Sequence, residues 1–273
     1  ITLPPMERIE FAARVCYRSQ ASSPDPEKRK SFLMKLATLG HLTPFEHAAI
    51  IVKNLDNILC HGVNDRSRIE TEFAEDGAYQ NRLNMRTLIE NIGVEAAFDV
   101  LTSTDNPVQL DPIFATFEIV TNRGIGNQLI RHRAISFEST DRLPDPSVNQ
   151  ESLRWVLLED PVVVLGDSAL AILDADPTMK QEWLRSVSQS FVTYKDLTGK
   201  CKKEFARTVL PLATYTRIIM TTDMHGWWAF LKLRMEKAAD PQMRDLAGII
   251  YSQLKDRLVA AGDDLTGEPF NNA

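Results

Sequence analysis

Cysteine is scarce in this chain of 273 residues: Cys16, Cys60 and Cys201 are the only three. They are odd in number, widely spaced and outside any C-x-x-C pattern, which excludes a disulfide framework or a zinc ribbon as the organising device. Long apolar runs are also missing. None reaches the roughly 18 residues of a membrane helix, and the opening ITLPPMERIEF carries neither the basic flank nor the apolar stretch of a signal peptide. A reducing, cytoplasmic setting away from membranes is therefore expected. Basic charge is in deficit, with 31 Lys+Arg against 37 Asp+Glu and a net charge of −6. That balance opposes the broad positive field needed to clamp duplex nucleic acid, although it permits a small anion site. No G-x-S-x-G elbow, Walker loop or dinucleotide fingerprint occurs, since Gly124 and Gly126 lack the third glycine at the required spacing. Repeats, low-complexity tracts and linkers are absent, and one compact α/β domain is expected.

What is present is an ordinary core-forming composition, 44% hydrophobic and 25% charged, enough to bury a core without metal or disulfide staples. The spacing of Ile9, Ala12, Ala13 and Cys16 predicts a helix over about 6–17. Asp25 as N-cap, Pro26 at the first helical position and Gly40 at the C-terminal cap bracket a second, with Phe32, Leu33, Leu36 and Leu39 as its buried stripe. Ala48–Val52 reads as a buried strand. The charged stretch 56–111 reads as an excursion with one helical segment, NRLNMRTLIENI. Then come a strand at PIFATFEIVT and a helix at RGIGNQLIRHRAIS, with Pro144 and Pro146 breaking the pattern. Helices are predicted over about 178–197, 202–209, 225–238 and 241–261, with a strand at ATYTRIIMTT before the third.

Arginine is concentrated in one place. Arg123, Arg131, Arg133 and Arg142 cluster with His132, and QLIRHRAISFESTDR adds Gln128, Glu138, Ser139, Thr140 and Asp141. Guanidinium forks match phosphate and carboxylate geometry, so the cluster suits a nucleotide; a solvated charged face would give the same pattern. Gln128 and Arg131 lie one helical turn apart and share a face, whereas His132 points elsewhere. HLTPFEH gathers His41, Thr43, Glu46 and His47 in or beside a loop. Their spacing matches neither a helical i, i+4 zinc pair nor H-E-x-x-H, so a turn with satisfied polar groups is favoured and no metal is expected. Arg207 and Arg234 bracket a helix-strand-helix segment among apolar neighbours such as Val209, Leu210, Leu231 and Leu233, where a guanidinium is costly to bury unless paired or liganded. Trp227, Trp228 and Phe230 read as core rather than a stacking platform. The residues alone lead as far as an arginine-based anion site.

Three segments, in this order, resemble those of the flavin-dependent thymidylate synthases: GHLTPFEH, then RGIGNQLIRHR, then ARTVLPLATYTR followed by FLKLR. The resemblance implies an α/β (α+β) fold with an antiparallel sheet flanked by helices, one domain over 1–273 with insertions near 56–111 and 145–180. It implies transfer of a one-carbon unit from methylenetetrahydrofolate to C5 of dUMP with hydride from reduced FAD, giving dTMP. It further implies NADPH to recharge the flavin and a homotetramer with shared sites. Thr43, Arg131, His132, Arg133, Glu138, Asp223 and His225 are placed at the FAD. Gln128, Arg131, Glu138, Ser139, Thr140, Asp141, Arg142, Arg207 and Arg234 are placed at the dUMP. Arg234 matches the arginine that favours ionisation at uracil N3. Loss of that proton raises electron density at C5, and a fixed guanidinium stabilises the ring charge, so no cysteine nucleophile is required.

The chain departs from the family in particular places. With one residue deleted, FESTDR brings Glu138, Thr140 and Arg142 into register, leaving the nucleotide loop one residue short and Leu143 where the family has Tyr. Asp223, Met224 and His225 replace Asn-x-Arg, Ala229 replaces an Asn or His, Ala238 replaces a His, and Ala239 with Asp240 replaces Ala-Gln. Histidine for arginine and carboxylate for amide make the flavin side less positive, so nucleotide binding is expected to be better preserved than flavin binding. Two alternatives stand beside the synthase: a same-scaffold enzyme installing another C5 group such as hydroxymethyl, and a non-catalytic dUMP-binding paralogue.

Overall fold

Helix α1 (Pro5–Val15) starts behind Pro4, and α2 (Pro26–Thr38) starts where Asp25 accepts a hydrogen bond from the Glu27 N–H at 3.0 Å. Gly40 follows α2 with φ +79°, a left-handed position that favours glycine. The computed structural model describes residues 1–20, 24–53, 70–73, 79–105, 107–132 and 145–260; Arg133, Glu138, Ser139, Thr140, Asp141 and Arg142 lie outside them. Strands β1 (Ala49–Lys53), β2 (Glu70–Phe73) and β3 (Tyr79–Asn84) precede α3 (Met85–Ile92) and α4 (Val94–Thr102). After β4 (Gln109–Leu110) come β5 (Phe114–Asn122), α5 (Arg123–Ile130), β6 (Ser147–Gln150), α6 (Asp167–Ala175), α7 (Pro177–Thr198) and α8 (Lys203–Ala206). Strand β7 (Tyr215–Asp223), α9 (Met224–Arg234) and α10 (Pro241–Ala260) complete the order. The strands form two small antiparallel sheets, ordered β2-β3-β1-β4 and β5-β7-β6.

Three strands run straight into helices, and each junction is closed by a side chain. Asn84 accepts from the Thr87 N–H at 2.9 Å, Asn122 from the Ile125 N–H at 2.9 Å, and Asp223 from the Gly226 N–H at 2.7 Å. A short carboxyl or amide oxygen satisfies an otherwise orphaned N–H at the helix start, so no loop is needed. This corrects the helix expected at NRLNMRTLIENI. Its first four residues belong to β3, where Ala49 pairs with Asn84 and Lys53 with Gln80 in the register of β1, and only Met85 onward is helical. The helix expected through Arg131 and His132 likewise stops at Ile130, and the one expected to reach residue 238 stops at Arg234.

The chain divides into two compact units. One comprises Ile1–Glu118, Arg133–Asn149 and Ile219–Gly226; the other comprises Ile119–His132, Gln150–Ile218 and Trp227–Ala273. In the first, Ile9, Leu33, Phe45, Ile50, Leu88 and Phe98 are fully buried in one cluster. Each such side chain contributes about 1.5–3 kcal/mol through burial. Leu88 and Phe98 come from the stretch expected to be an excursion, so that stretch builds the core rather than decorating it; Phe98 meets Phe45 edge to face at 6.2 Å. In the second unit Trp227 and Phe230 are fully buried with ring centroids 5.7 Å apart, as core aromatics. Met243, Ala247, Ile250, Leu254 and Leu258 give α10 a buried stripe at helical spacing. No helix among the described residues is long and apolar enough to cross a membrane.

Candidate functional site

In the first unit, Thr43–His47 form a single 3-10 turn, with Pro44 fixing its first residues. Thr43 is exposed at its start, while Pro44, Phe45, Glu46 and His47 are buried. Two buried polar side chains close together demand partners, and the turn finds them far away in sequence. Glu46 Oε1 accepts from Arg86 Nη1 at 2.6 Å, and Arg86 Nε also donates to Glu90 at 2.8 Å. Burial pushes the Arg86 guanidinium down, but the carboxylates of Glu90 and Glu46 outweigh it and hold the group above its ordinary value. His47 Nδ1 lies 2.8 Å from Thr221 Oγ1, which lies 2.8 Å from Thr116 Oγ1; Arg8 donates to Thr116 at 3.4 Å. The motif is thus a buried polar turn in which Glu46 Oε1 and His47 Nδ1 reach partners inside the protein. His41 is exposed, and among the described residues no three His, Cys, Asp or Glu side chains group as metal ligands.

The end of β7 belongs to the same unit. Asp223 is 1% exposed and its carboxylate caps α9, a role that Asn performs equally well. Gly226 follows because there is no room for a side chain: a Cβ there would overlap the Thr222 hydroxyl. Between them His225 is half-buried, and its Nδ1 is enclosed with no hydrogen-bond partner among the described residues.

The second unit holds the remaining candidates. Gln128 is half-buried on α5, and its Nε2 donates to Asp240 Oδ2 at 2.9 Å. Arg131 is exposed at the C-cap of α5, while His132, the next residue, is 3% exposed with its ring 5.2 Å from that of Phe230, edge to face. The two therefore face opposite environments, as their spacing predicts. Arg207 is half-buried at the start of the 3-10 turn Arg207–Val209. Arg234 ends α9, half-buried; its Nε is enclosed without a partner, and among the described residues no hydrogen bond or ion pair engages the guanidinium. Burial alone pushes it below its ordinary value. A buried donor left unmade costs about 1–3 kcal/mol, and among the described residues no acceptor meets this one.

Sequence reasoning missed Arg86, Thr221 and Asp240 as partners of site residues. Asp240 was within reach, because Asp-Pro before an apolar stripe marks the N-cap and first position of α10. The links from Glu46 to Arg86 and from His47 to Thr221 join residues far apart in the chain and leave no local signal.

A family model described as thymidylate synthase complementing protein matches residues 2–75 and 106–258. The chain is 30% identical over 142 residues to a flavin-dependent thymidylate synthase of Mycobacterium avium, covering 46% of this chain and 51%, about half, of that protein. It is 23% identical over 273 residues to a probable flavin-dependent thymidylate synthase of Mycobacterium phage L5, covering 97% of this chain and 82% of the relative. With a flavin-dependent thymidylate synthase of Mycobacteroides abscessus the identity is 26% over 263 residues, covering 91% and 74%. Residues 76–105, which carry β3, α3 and α4, fall outside the family match.

Proposed function

The chain belongs to the thymidylate synthase complementing protein family, and on that premise we propose that it is a flavin-dependent thymidylate synthase acting on dUMP with methylenetetrahydrofolate. The observation that carries this reading is Arg234: a half-buried guanidinium, lowered by desolvation and unpartnered among the described residues. In a polar, screened setting such a cation would be worth little. In a partly dry one it stabilises negative charge developing on a ring, and uracil losing its N3 proton develops that charge. The electron density then available at C5 makes attack on the methylene carbon possible without a thiolate. Burial of Cys16 agrees with that chemistry, since its thiol is pushed up, away from the nucleophilic form.

The other candidates divide by what their surroundings permit. Arg131, exposed, and Arg207, half-buried, offer forks suited to a phosphate, and Gln128 keeps its carbonyl oxygen for a base or sugar hydroxyl. The enclosed Nδ1 of His225 suits an acceptor on a flavin cofactor. Asp223 fits that role poorly, because its carboxylate is bound into the helix cap. Thr43, exposed at its turn, is free to donate a hydroxyl. When bound, reduced FAD would supply the hydride, with NADPH restoring it. We place the sites in a homotetramer, by family likeness, and include Arg133, Glu138, Ser139, Thr140, Asp141 and Arg142 among the ligand-facing residues on the same basis.

The visible spectrum of the desalted protein after loading with FAD, with and without dUMP, tests the cofactor arm. A retained flavin band that shifts on adding dUMP is the expected result. A colourless protein that still binds dUMP would replace this reading with a non-catalytic nucleotide-binding one.

A further inference from the structure

The second unit contains a pocket of about 550 Å³, within the size range of small-molecule sites. Leu165, Ile172, Trp183 and Leu212 give it an apolar body, drawn from the approach to α6, α6 itself, α7 and the stretch before β7. Its polar end is made by Gln128 on α5 and by Asp240 and Gln242 at the start of α10. Gly124 keeps the floor low, since a Cβ there would come within 3.2 Å of Asn122 Oδ1 and 3.7 Å of Leu212 Cβ.

The hydrogen bonds at the polar end define what the pocket lacks. Asp240 Oδ2 accepts from Gln128 Nε2 at 2.9 Å, and Oδ1 accepts from the Gln242 N–H at 2.9 Å. A carboxylate has about four acceptor positions, so two stay open here. Among the described residues no Lys, Arg or His pairs with Asp240. Asp240 is half-buried, and its open acceptor positions suit charge-assisted N–H donors. An anion such as a nucleotide phosphate would be repelled by Asp240, so this end of the pocket does not suit the phosphate that Arg131 and Arg207 are proposed to hold.

We propose that this pocket binds a small, flat, apolar molecule ending in an amidinium-like pair of N–H donors, as in amidines or 2-amino N-heterocycles. Asp240 receives the donor pair, and the flat body lies along Trp183 and the aliphatic wall. The inference requires neither flavin nor nucleotide, and it stands if the synthase reading fails.

Isothermal titration of benzamidine and of its neutral counterpart benzamide into the full chain tests it. Benzamidine is expected to bind at least about tenfold tighter than benzamide. Asp240→Asn keeps an N-cap residue for α10 but removes the charge, and should bring benzamidine down to the benzamide level. Ala169→Trp, which fills the pocket from α6, should abolish binding of both and serves as the deciding variant if Asp240→Asn fails to fold. Equal affinities for the two compounds, no benzamidine binding, or undiminished binding in either variant would overturn the proposal. So would binding that is lost as the protein self-associates in sedimentation, because the pocket would then be covered by a second copy.

Discussion

Glu46 and Arg86 form an ion pair of 2.6 Å in which the carboxylate side chain is fully buried and the guanidinium is 23% exposed. Glu46 sits in the turn of the first matched motif, and Arg86 lies in the stretch outside the family match. A segment outside the family match therefore holds a cation against a carboxylate buried in a matched motif.

Removing only the cation should be costly. Arg86→Met removes the cation 2.6 Å from a buried carboxylate, and the expected loss is about 2–4 kcal/mol, read as a lower urea midpoint. Replacing both residues by Glu46→Gln with Arg86→Met should recover much of that loss. An Arg86→Met protein as stable as wild type would show that the pair contributes nothing.

Gly226 makes a steric prediction at the start of α9. Gly226→Ala pushes a methyl into buried Thr222, and about 1–3 kcal/mol of stability should be lost. Adding Thr222→Ala removes the obstructing hydroxyl and should restore part of it, giving a non-additive double-mutant cycle. Additivity of the two changes would mean that the strain lies elsewhere.

Cys16 sets a pH dependence. Burial raises its thiol above the ordinary value, so the folded protein holds that proton after the unfolded chain has released it. Stability from this source is complete below the unfolded thiol value of about 8.5 and falls as pH rises from there toward the raised folded value. Denaturation midpoints of wild type and Cys16→Ala, compared between pH 7 and pH 10, should diverge in that direction. Alkylation of Cys16 should also be slow at pH 8 and accelerate at higher pH.

Much of the fold was legible because its signals are local. Asp25, Pro26 and Gly40 bound α2 through their own backbone preferences, and Trp227 and Phe230 declared themselves as core. Asn84 misled because the same residue can sit in a helix or cap one, and only pairing of β3 with β1 decides which. Helix α6 was missed because none of its residues is buried, which leaves no clear stripe to read. Strand β6 was missed because Ser147, Asn149 and Gln150 are polar; Asn149 is nonetheless buried, its amide donating to the Ala12 carbonyl at 3.2 Å. Among the candidate residues, Arg234 was readable as an arginine among apolar neighbours, and the structure has it half-buried. Asp223 read as a cofactor contact, and its carboxylate also caps α9, a role the sequence reading did not assign to it.

The central claim is one-carbon transfer to dUMP with Arg234 bearing the ring charge. Mass analysis of the nucleotide product, from wild type and from folded Arg234→Ala supplied with FAD, NADPH, methylenetetrahydrofolate and dUMP, tests it most directly. The account predicts dTMP from wild type and a loss of at least about a hundredfold in the variant, on the scale of losing a preorganised charge-stabilising donor. A product other than dTMP, no product from flavin-loaded wild type, or undiminished turnover in folded Arg234→Ala would contradict it.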